Sequence, residues 1–187
     1  VPLADPPEYV VECDTPTERL LKLTAAAGDY YTHQYRGSSA ARYIQGRFGT
    51  DLTDQPVTIG YAPAGWDNLV NHLRTHEAAT DQELVDAGLA RWTKRGTIID
   101  IFRERVVFGV RNGDGQLVGF SGRCAPGAAP DTPKYINTPT TPIFTKGTVL
   151  FGLHENREQL REGALPVRVE GPMDAIAVSL AGDGKAV

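Results

Sequence analysis

Asp100-Ile-Phe-Arg-Glu-Arg105-Val-Val-Phe-Gly-Val110-Arg-Asn-Gly-Asp-Gly115-Gln-Leu-Val-Gly-Phe120-Ser-Gly-Arg123 is the stretch that sets the architecture of this chain. Val106–Val110 is an apolar, β-branched run. Asn112-Gly113-Asp114-Gly115 supplies the residues that tolerate the left-handed backbone of a tight turn, and Leu117–Phe120 returns as a second apolar run. The pattern predicts an antiparallel hairpin, with Ile98–Phe102 a further strand ahead of it. If strand alternation holds through Phe102-Arg103-Glu104-Arg105, Arg103 and Arg105 point to one face and form a small anion receptor. Arg123 adds a third guanidinium at the end of the return strand. Gly119 and Gly122 beside it would let a ligand approach the backbone closely.

The charge distribution agrees. The 187 residues carry a net charge of −4, but residues 91–150 hold nine basic and four acidic groups, whereas residues 1–90 hold six basic and thirteen acidic ones. A basic segment inside an acidic chain suits a localised phosphate-binding surface; solvated cations without a partner are the alternative. Pro133-Lys134-Tyr135-Ile136-Asn137 puts a cation, a ring and an amide together, which suits a phosphate plus a base or sugar. A packed Tyr135 or a capping Asn137 is the more common reading of each residue alone. Lys146 adds another cation.

Upstream, the sequence reads as helices. Residues 1–14, with prolines at 2, 6 and 7, read as a leader or linker. Thr15-Pro16-Thr17-Glu18 has the form of a capping box with Pro at the first helical position, followed by Leu20, Leu23, Ala27 and Tyr30 at helical spacing. A second helix is expected from Ser38 or Ser39 to Gly49. Residues 50–65 read as irregular. A third helix is expected from Trp66, with Trp66, Leu69, Val70 and Leu73 on one face, and a fourth behind the capping box Thr80-Asp81-Gln82-Glu83, ending near Gly88. Residues 124–133, rich in Ala, Gly and Pro, read as a loop. The overall class is α/β (α+β): a helical N-terminal lobe and a small basic sheet, then a β-α unit.

That last unit is Leu165-Pro-Val-Arg-Val-Glu170-Gly171-Pro172 and the apolar-periodic residues after it. A strand ending on Glu170, a Gly-Pro turn and a helix would place the carboxylate at a sheet rim, where it can bind a divalent cation or move a proton. A surface glutamate that complements the helix dipole is the plainer alternative. No apolar run approaches the ~18 residues of a membrane span. Cys13 and Cys124 have no zinc-ligand spacing and leave a disulfide as a minor alternative, so a cytoplasmic, zinc-free protein is expected.

In order, Asp100-Ile-Phe-Arg-Glu-Arg105, Gly119-Phe-Ser-Gly-Arg123, Pro133-Lys-Tyr-Ile-Asn137, Phe144-Thr-Lys-Gly147, Leu150-Phe-Gly152 and Val169-Glu-Gly171-Pro-Met-Asp174 resemble the RNA polymerase core of bacterial DnaG-type primases. Arg42-Tyr43-Ile44, Arg47 and Gly60-Tyr61-Ala62-Pro63 through Leu69 resemble that family's N-terminal subdomain. The resemblance implies a primase-like subdomain over residues 15–150 and the start of a TOPRIM domain over 151–187. It implies a surface for single-stranded DNA template, RNA–DNA hybrid and ribonucleoside triphosphates made by Arg103, Arg105, Arg123, Lys134, Tyr135, Asn137 and Lys146. Glu170 matches the catalytic, metal-holding TOPRIM glutamate, with Mg²⁺ or Mn²⁺ as cofactor and RNA primer synthesis by nucleotidyl transfer as the activity.

The chain departs from the family pattern: no Asp-x-Asp motif follows before Val187, so it reads as a piece of a larger protein, with further metal ligands expected beyond that residue. Pro172, where a tyrosine is common in primases, points to a divergent phage, plasmid or conjugation-associated member, with a replicative helicase or relaxase domain as partner. A primase core, a non-catalytic single-stranded-DNA-binding module of a relaxase or helicase, and a TOPRIM nuclease are the competing functions. The motifs over residues 100–147 favour the first.

Overall fold

A computed structural model describes residues 11–182. Residues 1–10, most of the expected leader, and residues 183–187 lie outside the described residues. The elements are α1 (Thr17–Tyr35), α2 (Ser39–Phe48), β1 (Ile59–Ala62), α3 (Asn68–Glu77), α4 (Asp81–Asp86), β2 (Ala90–Trp92), β3 (Ile98–Asp100), β4 (Arg105–Arg111), β5 (Leu117–Cys124), β6 (Tyr135–Asn137), α5 (Arg157–Arg161) and α6 (Pro172–Ala181). Four strands form an antiparallel sheet in the order β1-β4-β5-β6; β2 and β3 make a separate two-stranded ribbon.

The predicted hairpin is the centre of the molecule. β4 pairs with β5 from Arg105↔Cys124 to Arg111↔Leu117, with an irregularity at Val110/Arg111. Its turn is tied by Asn112, whose side-chain oxygen accepts from the backbone of Asp114 and Gln116, and Gly115 takes the left-handed conformation at φ 84°. β4 is continuously apolar because both faces of the sheet are covered. On one face, Val107 and Phe120 pack with Leu20, Leu23, Ala27 and Tyr31 of α1 and with Leu69, Val70 and Leu73 of α3. On the other, Val106 and Phe108 pack with Ile44 of α2 and with Met173 and Ile176 of α6.

Several expectations need correction. The Thr15 side chain does not cap α1. It donates to the Asp86 carboxylate at 2.6 Å and tethers the chain to the end of α4, while Pro16 takes the N-cap position without a side-chain hydrogen bond. Tyr31, not Tyr30, continues the buried stripe of α1, since residue 31 lies nearest the 3.6-residue repeat running from Leu20. Residues 50–65 are not wholly irregular, because they contain β1. Gly60 there faces α1 so closely that a Cβ would lie 2.6 Å from Tyr31 backbone. α3 begins at Asn68, leaving Trp66 outside it and 65% exposed. No ladder strand forms over residues 165–169. Only Val167 has a bridging conformation, and Leu165 is 80% exposed. A strand exists through its pairing, and this segment has no such ladder among the described residues. The following helix, with Pro172 at its first position, is present, and Gly171 is simply extended (φ −173°).

Candidate nucleic-acid interface

The site is assembled around Asp100, a buried carboxylate at the end of β3. Its two oxygens accept from the backbone N–H groups of Leu69 and Val70 at 2.9 and 3.0 Å, capping α3 from outside because Asp67 makes no such bond. Its own N–H donates to the Trp66 carbonyl at 2.7 Å, and its carbonyl accepts from the Arg103 guanidinium. Burial pushes the Asp100 carboxyl upward, and the two N–H donors pull against that. One residue thus fixes both Trp66 and Arg103, and the guanidinium lies 4.7 Å from the Trp66 ring centroid. This pair borders a cleft of about 840 Å³ whose lining includes Arg91, Arg105 and Asn137.

Arg103 and Arg105 reach this cleft by different routes from those the alternation implied. β3 stops at Asp100 and β4 starts at Arg105; between them Glu104 takes φ 49°, so strand alternation does not run through residues 102–105. Arg103 is half-buried. Arg105 is only 6% exposed and donates to the Pro133 carbonyl at 2.8 Å, which anchors the loop that carries Lys134. Burial lowers the pKa of both, and the neighbouring charge of Arg91 lowers that of Arg103 further.

Arg123 belongs to the opposite sheet face. It faces Tyr135 in the β5–β6 register, donates to the Tyr135 hydroxyl at 2.8 Å, and lies over the rings of Tyr43 and Tyr135 at 5.6 and 5.2 Å. Burial works against its charge, but the bond to Tyr135 and the nearness of Tyr43 outweigh it and raise its pKa. Arg123 and Tyr135 are therefore partnered with each other. The nearby glycines serve packing rather than ligand approach: a Cβ on Gly122 would meet the Phe102 ring at 2.6 Å, and one on Gly119 the Phe144 ring at 3.2 Å.

A second cleft, of about 240 Å³, brings together Asn137, Lys146, Arg168 and Glu170. Asn137 lines both clefts and joins them. Lys134 and Lys146 are exposed, and neither forms an ion pair among the described residues. Glu170 and Asp174 are exposed. Among the described residues no three His, Cys, Asp or Glu side chains gather into a metal site, so Glu170 offers a single carboxylate. The two cysteines are free, and no helix among the described residues is long and apolar enough to cross a membrane. Trp66, Arg91 and Tyr43 were missed as site residues. Trp66 was read into a helix face, Arg91 belongs to a strand too short to announce itself, and Tyr43 meets Arg123 only through tertiary packing.

Proteins similar to this chain include DNA primases. Residues 30–157 match the family described as DNA primase catalytic core, N-terminal domain. The DNA primase of Deinococcus radiodurans is 41% identical over 160 residues, covering 85% of this chain and 27% of that protein. The DNA primase of Pseudomonas aeruginosa is 36% identical over 173 residues, covering 90% and 26%. The chain thus spans about a quarter of the length of these relatives. The RNA polymerase domain of Mycobacterium tuberculosis primase DnaG, in complex with double-stranded DNA, superposes with a TM-score of 0.82 at 32% identity, over 91% of this chain and 54% of that one. A DnaG primase catalytic domain bound to single-stranded DNA gives a TM-score of 0.73 at 32% identity, over 90% and 52%. By sequence and by fold, this chain belongs to the family of the DNA primase catalytic core, N-terminal domain.

Proposed function

We propose that this chain is the template-gripping part of a DNA primase core, and that in its full-length parent it holds single-stranded DNA template and RNA–DNA hybrid while RNA primers are made by nucleotidyl transfer. One observation carries the reading: the cleft lined by Arg91 and Arg103 has an exposed indole, Trp66, at its edge, with the Arg103 guanidinium over its ring. Cations at a groove hold a phosphate backbone, and an exposed ring accepts a base face whatever the sequence. Relatives whose structures contain DNA support the same reading.

The chemistry would lie at the second cleft. Lys146 and Arg168 would hold triphosphate oxygens there, and Glu170 would contribute one carboxylate to a divalent cation that aligns the attacking and leaving oxygens. The further carboxylates that such a cation needs would come from the rest of the parent. On this reading the chain alone makes no primers. A replicative helicase or relaxase domain remains a proposed neighbour in the parent.

Fluorescence anisotropy with labelled oligonucleotides over a salt series tests the grip. Affinity should fall steeply with salt, by about 0.7 log units per log unit of salt for each phosphate contacted. Arg103→Ala should weaken binding about fivefold without unfolding the chain. Binding that ignores salt would overturn the reading. In the parent, Glu170→Gln should abolish template-dependent ribonucleotide incorporation and leave binding intact; a parent that binds but never synthesises would instead be a non-catalytic binding module.

A further inference from the structure

The β2–β3 ribbon stands beside the main sheet and has no part in its ladder. Arg91 faces the large cleft. Beyond it, the chain runs to a tip that is held rather than loose. Thr93 N–H donates to the Thr97 carbonyl at 2.7 Å, Gly96 N–H to the Thr93 carbonyl at 3.1 Å, and the Thr93 and Thr97 hydroxyls meet at 2.9 Å. Gly96 takes φ 76°, as this turn requires. The tip presents Lys94 and Arg95, both exposed and neither in an ion pair among the described residues. Trp92, 45% exposed, makes no ring contact there either. A two-stranded ribbon is a marginal element. Three cations on one, facing no acid of the same ribbon except the buried Asp100, repel one another and add nothing to its stability.

We propose that this ribbon is a second contact surface for single-stranded nucleic acid, continuous with the cleft: a strand leaving the cleft past Arg91 follows the ribbon to Lys94 and Arg95, with a base face on Trp92. The proposal rests on the reading of the cleft as a single-strand site. Three or four residues of extended chain separate Arg91 from the tip, about 10 Å, which is the reach of about one to two internucleotide steps of an extended single strand. The ribbon therefore contacts only strands long enough to extend beyond the cleft.

Length dependence tests this. Anisotropy is measured for the full chain with a short oligothymidylate of about five nucleotides and a long one of about twenty, a range that brackets a single-domain site. The Lys94→Ala/Arg95→Ala double variant should bind the short strand as the unsubstituted chain does. It should bind the long strand about tenfold more weakly, with a salt slope shallower by about 1.4, the loss of two single-strand phosphate contacts. Trp92→Ala should lose about fivefold on the long strand only, and Trp92→Phe should restore it. Circular dichroism confirms that the variants fold. If the unsubstituted chain binds both strands and the double variant matches it on both, or loses equally on both, the ribbon is not on the path. If the chain binds neither strand, or Arg103→Ala has no effect on the short one, the cleft reading fails and takes this proposal with it.

Discussion

Arg103 and Arg105 are two residues apart and chemically identical, and the fold assigns them different work. The Arg103 head lies over Trp66 at the edge of the cleft, where a cation–π contact contributes about 0.5–1 kcal/mol. Arg105 is buried and its guanidinium satisfies the Pro133 carbonyl. Removing it leaves that acceptor unpaired and a cavity at the base of the 125–133 loop. Arg105→Ala should therefore cost about 2–3 kcal/mol in stability, and Arg103→Ala less than about 1 kcal/mol. Thermal melts of the two variants read the difference. Equal losses would mean that Arg103 is as structural as its neighbour. The identity of the cations is plain in the sequence, but which of them is free to meet a ligand depends on Glu104, whose left-handed backbone ends the alternation between them.

Helix α4 is one turn and a half long and owes its place to its ends. Thr80 and Glu83 cap it reciprocally, as Thr80-Asp81-Gln82-Glu83 announces. Glu83 also accepts from Arg19 of α1 at 2.9 Å, which ties the two helices together. That bond, with the Thr80 N–H, pushes the Glu83 carboxyl down to about 2 from its ordinary 4.5. Because the folded value is the lower one, the stabilisation is complete above about pH 4.5 and is lost as pH falls from there towards 2. Glu83→Gln should flatten the fall in melting temperature across that window, and cost about 1 kcal/mol at neutral pH. An unchanged acid limb would exclude the pair from the acid response. The capping box around Thr15 shows the limit of such a motif: the same residue types are present, but a hydrogen bond from Thr15 to the distant Asp86 replaced the local one.

At the scale of the molecule, the central sheet is covered on both faces, and the second cover comes partly from the far end of the chain. Met173 and Ile176 of α6 pack on Phe108 and Val106, and the Phe151 ring meets Phe108 edge-on at 6.2 Å. Packing thus crosses residue 150, the expected boundary between the two parts. Ile176→Ala should cost about 2–4 kcal/mol, whereas Leu165→Ala, at an exposed position, should stay within about 0.5 kcal/mol. Denaturant unfolding of both variants is the check, and a tolerant Ile176 would mean that α6 is merely appended. The same packing puts Glu170, one residue before the turn into α6, beside Lys146 and Asn137.

The strand pair around Asn112–Gly115, the helix stop at Gly49, the cap at Thr80 and the sign of residues 91–150 were all legible from order and spacing, because each rests on contacts within a few residues or on charge that needs no geometry. Three-residue strands such as Tyr135–Asn137, the outside cap that Asp100 gives α3, and the union of Trp66, Arg91, Arg103 and Asn137 in one cleft were not. Tyr135–Asn137 pairs with residues 12–16 positions back and Asp100 caps a helix 31 positions back, and no local preference records which distant group a short strand or a buried carboxylate will meet. The chain's own residues specified that it would carry cations and a hairpin. Which cations face a ligand, and which hold the fold, was settled only when the sheet closed between its two layers of helices and buried groups such as Asp100 and Arg105 took backbone partners.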